Sequence, residues 1–232
     1  MIYAQQPNQP LNVLNKELIS SSLPVLSPGD TVLHAQQLLM EYHLFQLPVV
    51  NGDKYVGLLS EEDVLNADSD HTLIQQLENR LSKVAVKANT HFVEAVHLCN
   101  DFGLGVIPVV EKDMEWVGAI PATELLRQLG KMTGADEPGG LIVLEMNKSD
   151  FSFSEISKLV ETNDAQITQL NTSRDAQQQT LHVTIKVNKF EISDIIATFQ
   201  RYEYTVKYYF GEELYENELR SNYDHLMNYL NM

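Results

Sequence analysis

The chain has 232 residues, 44% of them apolar and 21% charged, which fits one large globular domain or two small ones. Its net charge of −16 is spread: 8 Lys and Arg face 18 Asp and Glu in residues 1–140, and 8 face 14 in residues 141–232. No basic patch is left to neutralise phosphates, so nucleic acid and anionic membrane surfaces are not expected partners, and no run of about 18 apolar residues predicts a membrane span. Residues 1–10 hold three Gln and two Pro and read as a loose arm without the basic and apolar regions of a secretory signal. The chain has one cysteine, Cys99, so no internal disulfide forms, and a cytoplasmic protein is expected.

Leu11 to Ser21 reads as a short helix, and Leu23 to Leu26 as a short extended piece. Pro28-Gly29-Asp30 is a turn, with Asp30 placed to cap the next helix. In that helix Val32, Ala35, Leu38, Leu39 and Tyr42 share one face. Gln46 to Asn51 is a strand, Asn51-Gly52-Asp53 a hairpin turn and Lys54 to Leu59 the return strand, after which Ser60 opens a helix. The order is β-α-β-β-α. It then recurs: Val84 to Val86, a helix from Thr90 to Phe102, Val106 to Glu111, a turn at Lys112-Asp113, Glu115 to Ile120, and a helix from about Ala122 to Lys131.

The recurrence is visible residue by residue. Leu47-Pro48-Val49-Val50 returns as Ile107-Pro108-Val109-Val110, and Tyr55-Val56-Gly57-Leu58-Leu59 returns as Trp116-Val117-Gly118-Ala119-Ile120. Two such units sharing one core predict a pseudo-two-fold module with a cleft between the copies. After the Gly- and Pro-rich linker 133–140, the pattern changes to β-α-β-β-α-β: Leu141 to Met146, Ser154 to Thr162, Ala165 to Thr172, Gln179 to Val187, Glu191 to Tyr202 and Tyr204 to Phe210. Residues 212–232 place Leu219, Tyr223, Leu226, Met227 and Leu230 on one helical face.

The twin units, the Leu-Pro-Val-Val strand and the Val-Gly-Leu-Leu-Ser-x-x-Asp segment resemble a pair of CBS domains, a Bateman module. Residues 140–210 resemble an ACT domain, and the order of the three resembles the bacterial acetoin-utilisation regulatory proteins. The resemblance implies an α/β CBS pair followed by an α+β, ferredoxin-like domain. Its parts are repeat 1 at 11–68, repeat 2 at 78–132, the linker, the ACT-like domain at 141–211 and a C-terminal amphipathic helix at 212–232. It also implies a homodimer, an unknown protein partner, no required cofactor, and a regulatory rather than enzymatic role.

By that resemblance, Gly57-Leu58-Leu59-Ser60-Glu61-Glu62-Asp63 lines an adenosine site. Asp63 holds the ribose and Ser60 the phosphate, while Leu26, Ser27, Gln46, Leu47 and Pro48 border the adenine. The ligand would be AMP, ADP, ATP or S-adenosylmethionine. The same Ser-x-x-Asp spacing also forms a capping box, which serves the helix end alone. Repeat 2 has Pro121 and Glu124 in place of Ser60 and Asp63, so Thr123 and Glu124 mark a degenerate second site. The loop Asn147 to Ser154 has no Gly for close backbone approach, so the third domain reads first as packing surface and second as an amino-acid sensor. An interaction scaffold with a vestigial nucleotide site is the alternative to the adenosine sensor. The seven histidines show no His-x-x-x-His spacing, and neither a metal site nor a catalytic motif is expected.

Overall fold

The computed structural model describes residues 13–174 and 180–211, so the arm and the C-terminal amphipathic helix expected from the sequence lie outside the described residues. The chain divides into two compact units, residues 1–132 and 133–232.

Unit 1 contains both repeats. Repeat 1 has α1 (Val32–Tyr42), β1 (Gln46–Asn51), β2 (Lys54–Ser60) and the short α2 (Glu61–Leu65). Repeat 2 has β3 (Val86–Lys87), α3 (Phe92–Phe102), β4 (Val106–Val110), β5 (Trp116–Pro121) and α4 (Ala122–Met132). In each repeat the hairpin is antiparallel, and the two registers match: Gln46 lies opposite Ser60, and Val106 opposite Pro121. Each hairpin also carries an irregularity at the same place, between Val49 and Val50 and between Val109 and Val110. Leu26, Val32, Ala35, Leu47, Val49 and Leu59 form the core of repeat 1, while Phe92, Ala95, Ile107, Val109 and Ile120 form that of repeat 2.

Several local expectations are corrected. The first strand of repeat 1 shrinks to one parallel bridge, Leu26 beside Val49, because the chain turns immediately at Ser27. Asp30 does not cap α1. Its carboxylate accepts from the Ser27 amide (2.7 Å) and fixes that turn, while Thr31 caps the helix by accepting from His34 N. The opening helix is one 3-10 turn, Asn15–Leu18, and the first strand of repeat 2 is Val86–Lys87 rather than Val84 to Val86, where the Val84 carbonyl accepts from the Tyr55 hydroxyl.

The opening segment packs on the repeat it does not precede. Asn15 N and Lys16 N donate to Thr90 O and Ala88 O (both 3.0 Å), Ser20 N donates to Ala119 O, and Leu18 enters the core of repeat 2. The segment between the repeats makes the same bonds to repeat 1: Ile74 N to Asp30 O, Gln75 N to Pro28 O, and Ser82 N to Leu58 O. Two matching glycines permit this. A Cβ on Gly57 would lie 2.6 Å from Leu81 Cβ, and a Cβ on Gly118 would strike Ile19. The two repeats meet where Lys54 bridges Glu115 and the aligned rings of Tyr55 and Trp116 stack at 5.9 Å.

Unit 2 has the order β6 (Leu141–Met146), α5 (Phe153–Glu161), β7 (Ile167–Arg174), β8 (Leu181–Val187), α6 (Ser193–Arg201) and β9 (Thr205–Phe210). Its sheet runs β7-β8-β6-β9, antiparallel throughout. Ile142, Leu144, Val183, Ile185 and Phe199 fill the core between sheet and helices. On the alternate positions of the sheet, Glu145 accepts from Lys207 Nζ (2.5 Å) and lies 2.8 Å from His182 Nε2. These contacts hold the Glu145 carboxyl below the usual carboxylate range.

Candidate functional site

Ser60 ends β2 and caps α2, which brings Ser60 and Asp63 together at one corner of repeat 1. The contact is reciprocal. Ser60 N and Ser60 Oγ donate to Asp63 Oδ2 (3.0 and 2.5 Å), and Asp63 N donates to Ser60 Oγ (3.1 Å). The capping box is therefore formed, as the plain reading of the spacing requires. Among the described residues, the bonds to the Asp63 carboxylate fall on Oδ2, which leaves Oδ1, on a half-buried side chain, with acceptor capacity. Glu61 and Glu62 are exposed beside it.

Of the expected adenine-bordering residues, only Gln46 sits at this corner, as the register partner of Ser60. Leu26 and Leu47 are fully buried and belong to the core, and Pro48 is buried opposite Leu58. Leu26 pairs beside Val49, three residues along β1 from Gln46 and so about 10 Å away, because parallel pairing sets that register. Ser27 lies beyond it, exposed, with its amide on Asp30. Gln46 itself is engaged: Gly105 N donates to its Oε1 (2.9 Å), and its Nε2 donates to Gly103 O (3.4 Å).

One residue at this corner escaped the sequence reading. Phe45 is 66% exposed, and its carbonyl accepts from Glu61 N (2.9 Å), which fixes it next to the first residue of α2. The signal was present in the repeat alignment, where Phe45 faces Gly105: a large ring in one copy and no side chain in the other.

The second corner is built differently. Pro121 ends β5 in the place of Ser60 and offers neither a hydroxyl nor an N–H. Glu124 is occupied on both oxygens, by Gln128 Nε2 on Oε1 (2.9 Å) and by the Arg127 guanidinium on Oε2. Thr123 is exposed.

In unit 2 a cavity of about 640 Å³ opens where β6 ends, lined by Asn147, Asp150, Ser152, Glu155 and Tyr204 among others. Ser152 caps α5 by accepting from Glu155 N. Burial, with Glu155 and Asp150 nearby, pushes the Tyr204 hydroxyl up to about 12. Among the described residues the lining contains no Lys, Arg or His, and Lys207 and His182 are engaged by the lining residue Glu145. Cys99 donates to Leu104 O, and burial raises its thiol pKa, so it is a packing residue rather than a nucleophile. Among the described residues no group of His, Cys, Asp and Glu could hold a metal ion, and no helix is long and apolar enough to cross a membrane.

The CBS domain family profile matches residues 16–70, and the chain is similar to CBS-pair regulatory proteins. An inosine-5'-monophosphate dehydrogenase of Korarchaeum cryptofilum is 28% identical over 119 residues, covering 51% of this chain and 25% of the relative. The chain thus spans about a quarter of the length of that enzyme. Two crystal structures are similar in fold. A putative acetoin utilization protein from Vibrio cholerae is 20% identical with a TM-score of 0.45, covering 54% of this chain and 98% of that one. CBSX2 in complex with AMP is 22% identical with a TM-score of 0.42, covering 52% and 98%.

Proposed function

We propose that unit 1 is a non-enzymatic regulatory module that binds an adenosine compound at the corner formed by Phe45, Ser60 and Asp63 of repeat 1. The observation that supports it most is the division of labour within the Asp63 carboxylate. Oδ2 is consumed by the cap, which orients the group, and Oδ1 remains to accept from a ribose hydroxyl. Phe45 offers an exposed ring face for a base, a contact worth about 1–3 kcal/mol where it forms. The helix behind the corner has five residues and three acidic side chains in its first turn, so it is poorly suited to a polyphosphate. That favours AMP or an uncharged or cationic adenosine derivative over ATP. Repeat 2, with Glu124 already satisfied, contributes packing and no second adenosine site.

Unit 2 is read as an ACT-like packing domain, on the strength of its element order. A homodimer is the proposed assembly. Aligned apolar residues stand exposed in both repeats, Leu65 and Leu126 at 72% and 71%, and a second copy would cover both.

Thermal unfolding with AMP tests the central reading. A ligand at about 100 times its dissociation constant stabilises by about 2.7 kcal/mol. Asp63→Asn keeps an acceptor for the cap and removes the charge that would hold the ribose, so it should retain the melting temperature of the free protein and lose the AMP shift. No shift with AMP, adenosine or S-adenosylmethionine in the wild-type protein would overturn the reading in favour of a scaffold.

A further inference from the structure

We propose that Gln46 is a latch between the two repeats: the positioning residue through which the Ser60–Asp63 corner is tied to the start of α4. The role of the latch in transmitting occupancy rests on the nucleotide reading above, whereas the latch itself does not.

The loop 103–105 of repeat 2 has six polar backbone groups to satisfy, and the amides of Gly103 and Leu104 both donate to Cys99 O. Leu104 O accepts from Cys99 Sγ and Gly105 O from Ala122 N, both within repeat 2. Gly103 O and Gly105 N have their partner in repeat 1, the single carboxamide of Gln46. A carboxamide is suited to this pair because it donates and accepts at once in one plane. The aligned residue in repeat 2, Val106, is wholly buried and apolar, so the link runs in one direction only.

Its position gives the link a consequence. The main chain of Gln46 is the register partner of Ser60, the residue that caps α2 and fixes Asp63. Its side chain holds Gly105 N, and the Gly105 carbonyl accepts from Ala122 N, the first residue of α4 (2.9 Å). Glu61 N, next to Ser60, donates to Phe45 O, next to Gln46, so a path of covalent and hydrogen bonds runs from Ser60 through Glu61, Phe45, Gln46 and Gly105 to the beginning of the helix that carries the exposed Leu126. A ligand that shifts the end of β2 moves the anchor of that helix. In contrast to a residue that merely borders the adenine, Gln46 is committed to repeat 2 before any ligand arrives.

Three measurements on the full chain test this. In the free protein, hydrogen exchange at the Gly105 amide should be faster in Gln46→Ala than in wild type by roughly fivefold or more, the loss expected for one hydrogen bond. Equal exchange would overturn the latch. Gln46→Glu provides a readout that simple packing would not move. Its carboxylate can accept from Gly105 N, but it can face Gly103 O only when protonated, so its pKa rises on folding above the unfolded value of about 4.3. Its melting temperature should match that of wild type at about pH 4 and fall progressively below it as pH rises through the folded value. A difference from wild type that does not change with pH would contradict the assigned geometry. Finally, AMP should shift the amide resonances of Gly105 and Ala122 in wild type, and only those of repeat 1 in Gln46→Ala. Shifts at Gly105 and Ala122 that persist in Gln46→Ala would refute the transmission role. If AMP binds neither protein, the nucleotide reading fails, and the exchange and pH measurements still decide the latch.

Discussion

Replacing Leu18 by Ala should loosen repeat 2, although Leu18 stands at the head of repeat 1 in the chain. Leu18 is 3% exposed and packs with Phe92, Ile107, Ile120 and Leu125. The substitution removes three carbon groups from the core, about 2.4 kcal/mol at roughly 0.8 kcal/mol each. The cavity left behind adds to that, which places the total in the range of about 2.5–4.5 kcal/mol. In a unit of this size such a loss lowers the melting temperature by roughly 10 °C. Hydrogen exchange followed residue by residue is the informative assay. Protection should fall most at Ala88 and along α3, which bond to or pack on the opening segment, and least along β1 and β2. If protection is lost first in β1 and β2, or if the cost stays below about 1 kcal/mol, the segment is not part of repeat 2 and the interlocked arrangement is wrong.

Other outcomes follow from single contacts. Tyr55→Phe keeps the stack on Trp116 but removes the donor shared by Val84 O and Ser82 O, and chemical denaturation should show a loss of about 1–3 kcal/mol. Gly57→Ala places a methyl group 2.6 Å from Leu81 Cβ and should cost about 1–3 kcal/mol, whereas Gly52→Ala would meet no atom and should be limited to the strain of its positive φ; equal costs by denaturation would argue against the close approach. In unit 2 the Glu145 pKa is depressed in the folded state by Lys207 and His182, so its contribution is present above the unfolded carboxylate pKa and lost as pH falls through the folded value. Glu145→Gln should therefore flatten the acid limb of the stability profile, and an unchanged limb would refute the assignment.

The duplicated strand signature made the hairpins of unit 1 readable, because Pro48 and Pro108 fix the same register in both copies and the glycines mark the same close approach. The β-α-β-β-α-β order of unit 2 was equally legible from its periodicity. Contacts that depend on which repeat a segment crosses to were not. Val13 to Ser20 has helical spacing, but nothing in its apolar pattern specifies that Thr90 and Ala88, seventy residues away, accept its amides. The same holds at the candidate site. The Ser60–Asp63 spacing predicts the capping box that forms, whereas the resemblance puts Gln46 beside an adenine, and its bonds to Gly103 and Gly105 are a tertiary fact no local pattern carries. Leu26 and Leu47 were placed at the site by analogy, and their complete burial in the core follows from the parallel register beside Val49.

We propose that one repeat, not two, retains an adenosine corner. Calorimetric titration of the wild-type chain with AMP tests this most directly, because it reads stoichiometry as well as affinity. One molecule should bind per chain, binding should be lost in Asp63→Asn, and it should persist unchanged in Glu124→Gln. Two molecules per chain, or binding that survives Asp63→Asn and disappears in Glu124→Gln, would contradict the account.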